Sequence, residues 1–421
     1  MDREAASTES KDEDSEDEAE SQDVTSAYNE RVGLLIEILL FFTSGIGASL
    51  CYIATLSSLV FFEGCYGPNS YVFLNLATFF PLVPVALAQA RYDQEYDMKI
   101  GSFRTFYFRG LAGFLVSAVF VALIPSTSNI EELLVCTTFL GVSGAVLQGT
   151  LNQMASFVSD DPRLKASVSA GLQSSALLTL IISLLSGFGS SENTSGMFSF
   201  FYTIAGLQCA SFGSFLLLIY NSRKVSDAMT RRDSSLSVAL MEMDGGEEMH
   251  NYPVEMEYGQ IWEKTSLCCI TLMFTLVPSF LVGSWFTHIN SENMMLPQIL
   301  FYTRIISDLF GRLVTIKVRP SSTRFLFFLS LIRLLVVLAF FINASTNWFP
   351  QRDIVSTILV ALISFTSGYL VTGCFQLGPS MLPPEQLERS VTKQASLLNV
   401  AFSISAVIGI SSSLVLASIG L

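Results

Sequence analysis

Residues 323–344 read TRFLFFLSLIRLLVVLAFFINA. From Phe325 to Ile342 the run carries a single charge, Arg333, and a single hydroxyl, Ser330. The hydrocarbon core of a bilayer takes about 20 mainly apolar helical residues to cross, and this run has that length and composition. Working outward, further runs of the same kind lie near 32–61, 70–90, 105–124, 131–158, 166–189, 197–219, 262–287, 294–315, 352–380 and 392–418. The whole chain agrees: 51% of its 421 residues are hydrophobic, 34 are Phe, and only 14% are charged, against about 25% in soluble domains. The fold class expected is an all-α polytopic membrane protein of about eleven transmembrane helices.

Lys and Arg gather in cytoplasmic loops, which tests the count. Arg91, Lys99 and Arg104 fall between spans two and three, and Arg163 and Lys165 between four and five. Arg223, Lys224, Arg231 and Arg232 follow span six; Lys317, Arg319 and Arg324 separate eight from nine; Arg389 and Lys393 precede eleven. The opposite loops hold almost none, Arg352 excepted. An odd number of spans keeps this alternation, with the N-terminus cytosolic and the C-terminus extracytosolic, in the plasma membrane or an internal one. The sequons at Asn193 and Asn343 fall on the outer side, so these are the candidate glycosylation acceptors. The organisation expected is a disordered acidic cytosolic tail over 1–27, a six-helix bundle over 28–219, a polar cytosolic linker loop over 220–260 and a five-helix bundle over 261–421. The formal charge of -13 owes much to that tail, which has too few apolar residues to offset its ordering entropy.

Enzyme chemistry finds no support: there is no HExxH, GxSxG or P-loop motif. The seven cysteines are mostly inside apolar spans and the two histidines, His250 and His288, are isolated. No metal, no cofactor and no nucleic-acid partner is therefore expected; the partners are the lipid bilayer and a small-molecule solute. The chemistry lies in the polar residues within the spans. Arg304, Asp308 and Arg312 are spaced i, i+4, i+8 and share one helix face. Charges at a helix centre cost roughly 2.5–3.5 kcal/mol each on insertion scales, so that face must turn inward, to a solute pathway or to an ion pair. Arg304 and Arg333 read as parts of a structural charge network. Glu37, about one turn inside span one, reads as snorkelling to the cytosolic surface. Gln148 and Asn152, with Gln173, Gln376 and Asn399, supply amides that can hydrogen-bond a polar solute or another helix. Gly45, Gly47, Gly141, Gly144, Gly149, Gly368, Gly373 and Gly378 mark close helix approaches.

Several of these segments, in order along the chain, resemble the equilibrative nucleoside transporter family. Ser307-Asp308-Leu309-Phe310-Gly311-Arg312 resembles its span-eight signature, and Gly144-Ala145-Val146-Leu147-Gln148-Gly149 its span-four signature. Ser364-Phe365-Thr366-Ser367-Gly368 resembles the start of its span ten, Gly378-Pro379 the end of that span, and Thr275-Leu276-Val277-Pro278-Ser279 a proline break in span seven. The resemblance implies a major-facilitator-like fold of six plus five helices, a cavity lined by Gln148, and transport of nucleosides or nucleobases by alternating access. Three features depart from the family's pattern: its Gly-x-Gly then Pro-Trp-Asn is here Gly45-Ile46-Gly47 then Cys51-Tyr52-Ile53, its Asn three residues before the span-eight Asp is Ile305, and span five lacks a clean match to its glycine pattern. The residues expected to bind or gate the solute are Gln148, Asp308, Arg312 and Asn152, with Tyr52 and Phe301 as aromatic walls. The alternatives are a proton-coupled carrier of another polar metabolite or an organic cation, and a non-transporting receptor or scaffold on the same fold.

Overall fold

A computed structural model describes residues 6–67, 70–158, 162–188, 195–244, 256–286, 289, 291, 293, 295–346, 351–383 and 387–419. The first half runs α1 (Ala6–Ser57), α2 (Leu59–Tyr66), α3 (Ser70–Phe79), α4 (Leu82–Ile100), α5 (Ser102–Leu123), α6 (Ile130–Val158), α7 (Pro162–Ser186) and α8 (Ser195–Asn221). After α9 (Arg223–Asp244) come α10 (Tyr258–Ser284), α11 (Leu296–Lys317), α12 (Thr323–Ser345), α13 (Arg352–Leu377) and α14 (Leu387–Ile419). Among the described residues ten segments are long and apolar enough to cross a membrane, α3 and α4 together making one of them. The eleventh span is α11: its 22 residues reach about 33 Å, and Arg304, Asp308 and Arg312 are what set it apart in composition. Six spans thus precede α9 and five follow it.

Local chemistry accounts for the breaks and the starts. Pro81 follows α3 and offers no N–H to carry that helix into α4. The Ser322 hydroxyl accepts from the Phe325 amide at 3.2 Å and caps α12, while Glu257 and Gln260 form a capping box at the start of α10. That helix continues through Pro278 rather than ending there. Within each half α1 packs along α7, α11 along α13 and α10 along α14; between halves α7 meets α11 and α13, and α14 meets α3, α4 and α6.

Two expectations are corrected. The segment 220–260 is not a plain loop: it holds α9, an amphipathic helix seated on α4, α5, α6, α8 and α14. Arg232 of α9 pairs with Asp97 at 2.6 Å and bonds Thr392, and Asp233 accepts from the Ser102 amide at 2.9 Å. Polar helix ends of several spans converge here, and α9 supplies their partners. The backbone from Ala6 onward is helical and continuous with the first span. Glu37 does not snorkel; it is buried, accepting from Ser222 Oγ at 2.7 Å with Lys224 Nζ at 3.6 Å. Its partners come from the chain entering α9, which span one alone does not reveal.

Candidate functional site

A cavity of about 120 Å³ lies where the two halves face each other, roughly ten times what one water needs. The first half contributes Tyr52 and Leu56 from α1, Tyr71, Asn75 and Phe79 from α3, Gln148 and Asn152 from α6, and Lys165, Ser169 and Gln173 from α7. The second half contributes Ser279 and Phe280 from α10, Phe301, Arg304, Asp308 and Arg312 from α11, Ser364 and Ser367 from α13, and Phe402 from α14. All six residues expected to bind or gate (Tyr52, Gln148, Asn152, Phe301, Asp308 and Arg312) therefore surround one space.

The charged trio divides its work. Arg312 Nε donates to Asp308 at 2.6 Å, and its Nη1 donates to the Ser169 hydroxyl at 2.7 Å and carbonyl at 3.2 Å. Ser169 in turn lies 3.0 Å from the Thr372 hydroxyl, so this pair ties α11 to α7 across the halves. Arg304, assigned from sequence to a structural network, instead opens onto the cavity; among the described residues it has no ion pair and no hydrogen bond. Its guanidinium lies 5.3 Å from the centre of the Phe280 ring. Arg333 makes no direct ion pair with Asp308 among the described residues. It is buried outside the cavity, donating to the carbonyls of Ile363 at 3.0 Å and Thr275 at 2.6 Å and to the Ser279 hydroxyl.

The amides also separate. Gln148 and Gln173 line the cavity with no hydrogen-bond partner among the described residues. Asn152 lines it but donates to Asn399 at 3.0 Å, joining α6 to α14, and Gln376 donates to Thr315 at 3.3 Å between α13 and α11. A row of rings forms one wall: Tyr52 to Phe79 at 6.1 Å, Phe79 to Phe280 at 4.8 Å and Phe280 to Phe402 at 6.4 Å, all edge to face. Gly144 makes room for it, since a Cβ there would meet the Tyr52 ring at 2.9 Å.

Sequence reasoning missed Tyr71, Asn75 and Phe280, which carry no signal beyond being apolar or small amide residues in spans. The sequence places Lys165 among the cations of the loop between spans four and five. It sits instead in the first turns of α7, buried, facing the cavity; its i+4 spacing to Ser169 is the signal that was available. Asn343 is corrected as a sugar acceptor: it is fully buried, and its Nδ2 donates to the Arg352 carbonyl at 3.2 Å and Ser356 Oγ at 2.9 Å, leaving no room for a glycan. Asn193 lies outside the described residues.

No family model matches the chain, and no curated protein does. Among solved structures it is similar to the major facilitator superfamily proton:xylose symporter XylE bound to 6-bromo-6-deoxy-D-glucose. That likeness has a TM-score of 0.61 and covers 93% of this chain and 90% of the other, at 11% sequence identity. The chain has the major-facilitator fold. Its cavity lies between the halves of a major-facilitator architecture built here from eleven spans, and Asp308 is the one carboxylate among the described residues that line it.

Proposed function

We propose that this chain is a facilitative carrier of nucleosides or nucleobases, a divergent member of the equilibrative nucleoside transporter family, working by alternating access of its two halves. The observation that carries the reading is the pairing of unpartnered amides, Gln148 and Gln173, with an aromatic wall in one central cavity. Amides offer paired donors and acceptors and rings offer a stacking face that any base can use; together they suit a flat, hydrogen-bonding heterocycle. The motif resemblance supports it: the Asp308-to-Arg312 and Ser364-to-Gly368 segments, separate in sequence, lie directly against each other.

Transport is downhill on this reading. The neighbour's title names a proton symporter, but here the one lining carboxylate is already bound to Arg312, and Glu37 is away from the cavity. Rocking of 28–219 against 261–421 about a midplane site would expose the cavity alternately. The test is uptake of a labelled nucleoside and nucleobase panel by purified protein in liposomes, at equal and unequal pH across the membrane. Equilibration without accumulation is expected. Accumulation driven by an inward proton gradient would reject the facilitative reading, and sugars or organic cations moving while every nucleoside and base is refused would reject the substrate class.

A further inference from the structure

The two intramembrane arginines that lack a carboxylate partner are treated in opposite ways by the fold. Arg333 is fully enclosed, and its guanidinium is taken up by two carbonyls and a hydroxyl. Arg304 is laid against Phe280 and the backbone at Gly283, with no carboxylate, carbonyl or hydroxyl bonded to it among the described residues. A cation removed from water is costly unless paired or hydrogen-bonded, so an open guanidinium in a central cavity has donors waiting for an acceptor. Arg312 and Asp308 neutralise one another at 2.6 Å, so Arg304 adds to the lining a positive charge that no ion pair among the described residues balances. A positive cavity with low-dielectric walls concentrates anions and excludes cations.

We propose that Arg304 makes this cavity selective for anionic nucleobases, that is, flat heterocycles ionised at a ring nitrogen or bearing a carboxylate. The inference rests on the base-like substrate class given above and narrows it. The planar fork of an arginine matches a carboxylate or two adjacent ring acceptors in a way that a lysine does not. Phe280, beneath the guanidinium, and Phe79, 4.8 Å beyond it, place a stacking surface beside that fork. Gln148 and Gln173 remain to read the rest of the ring's edge. The same charge disfavours the organic cation among the alternative solutes.

The experiment uses full-length purified protein in liposomes with two matched pairs of labelled bases: orotate against uracil, and urate against hypoxanthine. In the unaltered protein the anion of each pair is expected to be taken up faster at low concentration. In Arg304→Gln the anion-to-neutral ratio is expected to fall by about tenfold or more, the effect of losing one charge-assisted hydrogen bond; Arg304→Lys keeps part of the preference. A purely structural role would lower both members of a pair together and leave the ratio unchanged, which would overturn the proposal. Should Arg304→Gln fail to fold, competition by orotate against labelled uracil in the unaltered protein decides: weaker competition than by uracil itself overturns it. Preference for uracil and hypoxanthine over their anions defeats the inference while leaving the nucleobase reading standing. Refusal of all four bases, with benzoate bound in an Arg304-dependent way, defeats the nucleobase reading and leaves an anion site.

Discussion

Arg312 spends one donor on Asp308 and another on Ser169, so removing Asp308 leaves a buried guanidinium half satisfied. Breaking a buried pair from one side costs about 3–5 kcal/mol. Asp308→Ala is therefore expected to give low yields of folded protein and little uptake, read by thermal unfolding in detergent and by liposome assay; near-normal yield and uptake would place the pair in bulk water. Gln148 presents the opposite case. It has no hydrogen-bond partner to orphan among the described residues, so Gln148→Ala should leave the melting temperature almost unchanged. Apparent solute affinity should fall by the worth of one hydrogen bond, about 0.5–1.5 kcal/mol or roughly two- to tenfold. A drop in abundance with unchanged affinity would assign Gln148 to packing.

Two glycines bring a pair of helices into register. A Cβ on Gly311 of α11 would run into the Phe365 carbonyl of α13, and a Cβ on Gly368 would run into the Asp308 carbonyl of α11. The contact is reciprocal, which explains why Gly occurs beside Asp308 and Arg312 and again in the Ser364-to-Gly368 stretch. Overpacking of such a contact typically costs 1–3 kcal/mol. Gly368→Ala is expected to destabilise by about that much and to reduce uptake. Gly206→Ala, on α8 where a new Cβ meets nothing within 4 Å, should be silent or slightly stabilising. Equal melting temperatures for the two variants would contradict the close α11–α13 contact.

On the scale of the molecule, polar bonds cross between the halves on the side where α9 lies. Asp93 pairs with Arg109 at 2.6 Å and accepts from Gln153 at 2.6 Å; Gln153 also donates to Ser396 of α14 at 3.0 Å. Arg232 joins Asp97 of α4 to Thr392 of α14. Of these, Gln153–Ser396 and Arg232–Thr392 reach α14 in the second half, and alternating access would break them. Gln153→Ala is expected to loosen this side, so that a cysteine at Ser156 in a cysteine-free background is labelled faster by a maleimide added on the α9 side. Unchanged labelling would show that the bonds do not hold the halves together. The alternation of basic loops also predicts that a tag inserted near Ser235 stays hidden from antibody in intact cells; surface labelling there would rule out the proposed orientation.

The membrane class and the eleven spans were legible in composition, because crossing lipid demands long apolar helices whatever their partners. The polar residues of the site were legible one at a time for a related reason: a charge or amide inside an apolar run is expensive and so stands out. What each of them does was not legible. The i, i+4, i+8 spacing of Arg304, Asp308 and Arg312 placed them on one face, yet only the approach of α7 took up Arg312 and only the bare face of α10 at Gly283 left Arg304 open. Glu37 and Asn343 were misjudged because their partners, Ser222, Lys224, Arg352 and Ser356, lie beyond the helices that carry them. A helix's own sequence states which groups need partners; the packing of its neighbours decides which partners they receive, and among the described residues of the cavity leaves one guanidinium and two amides without a hydrogen-bond partner.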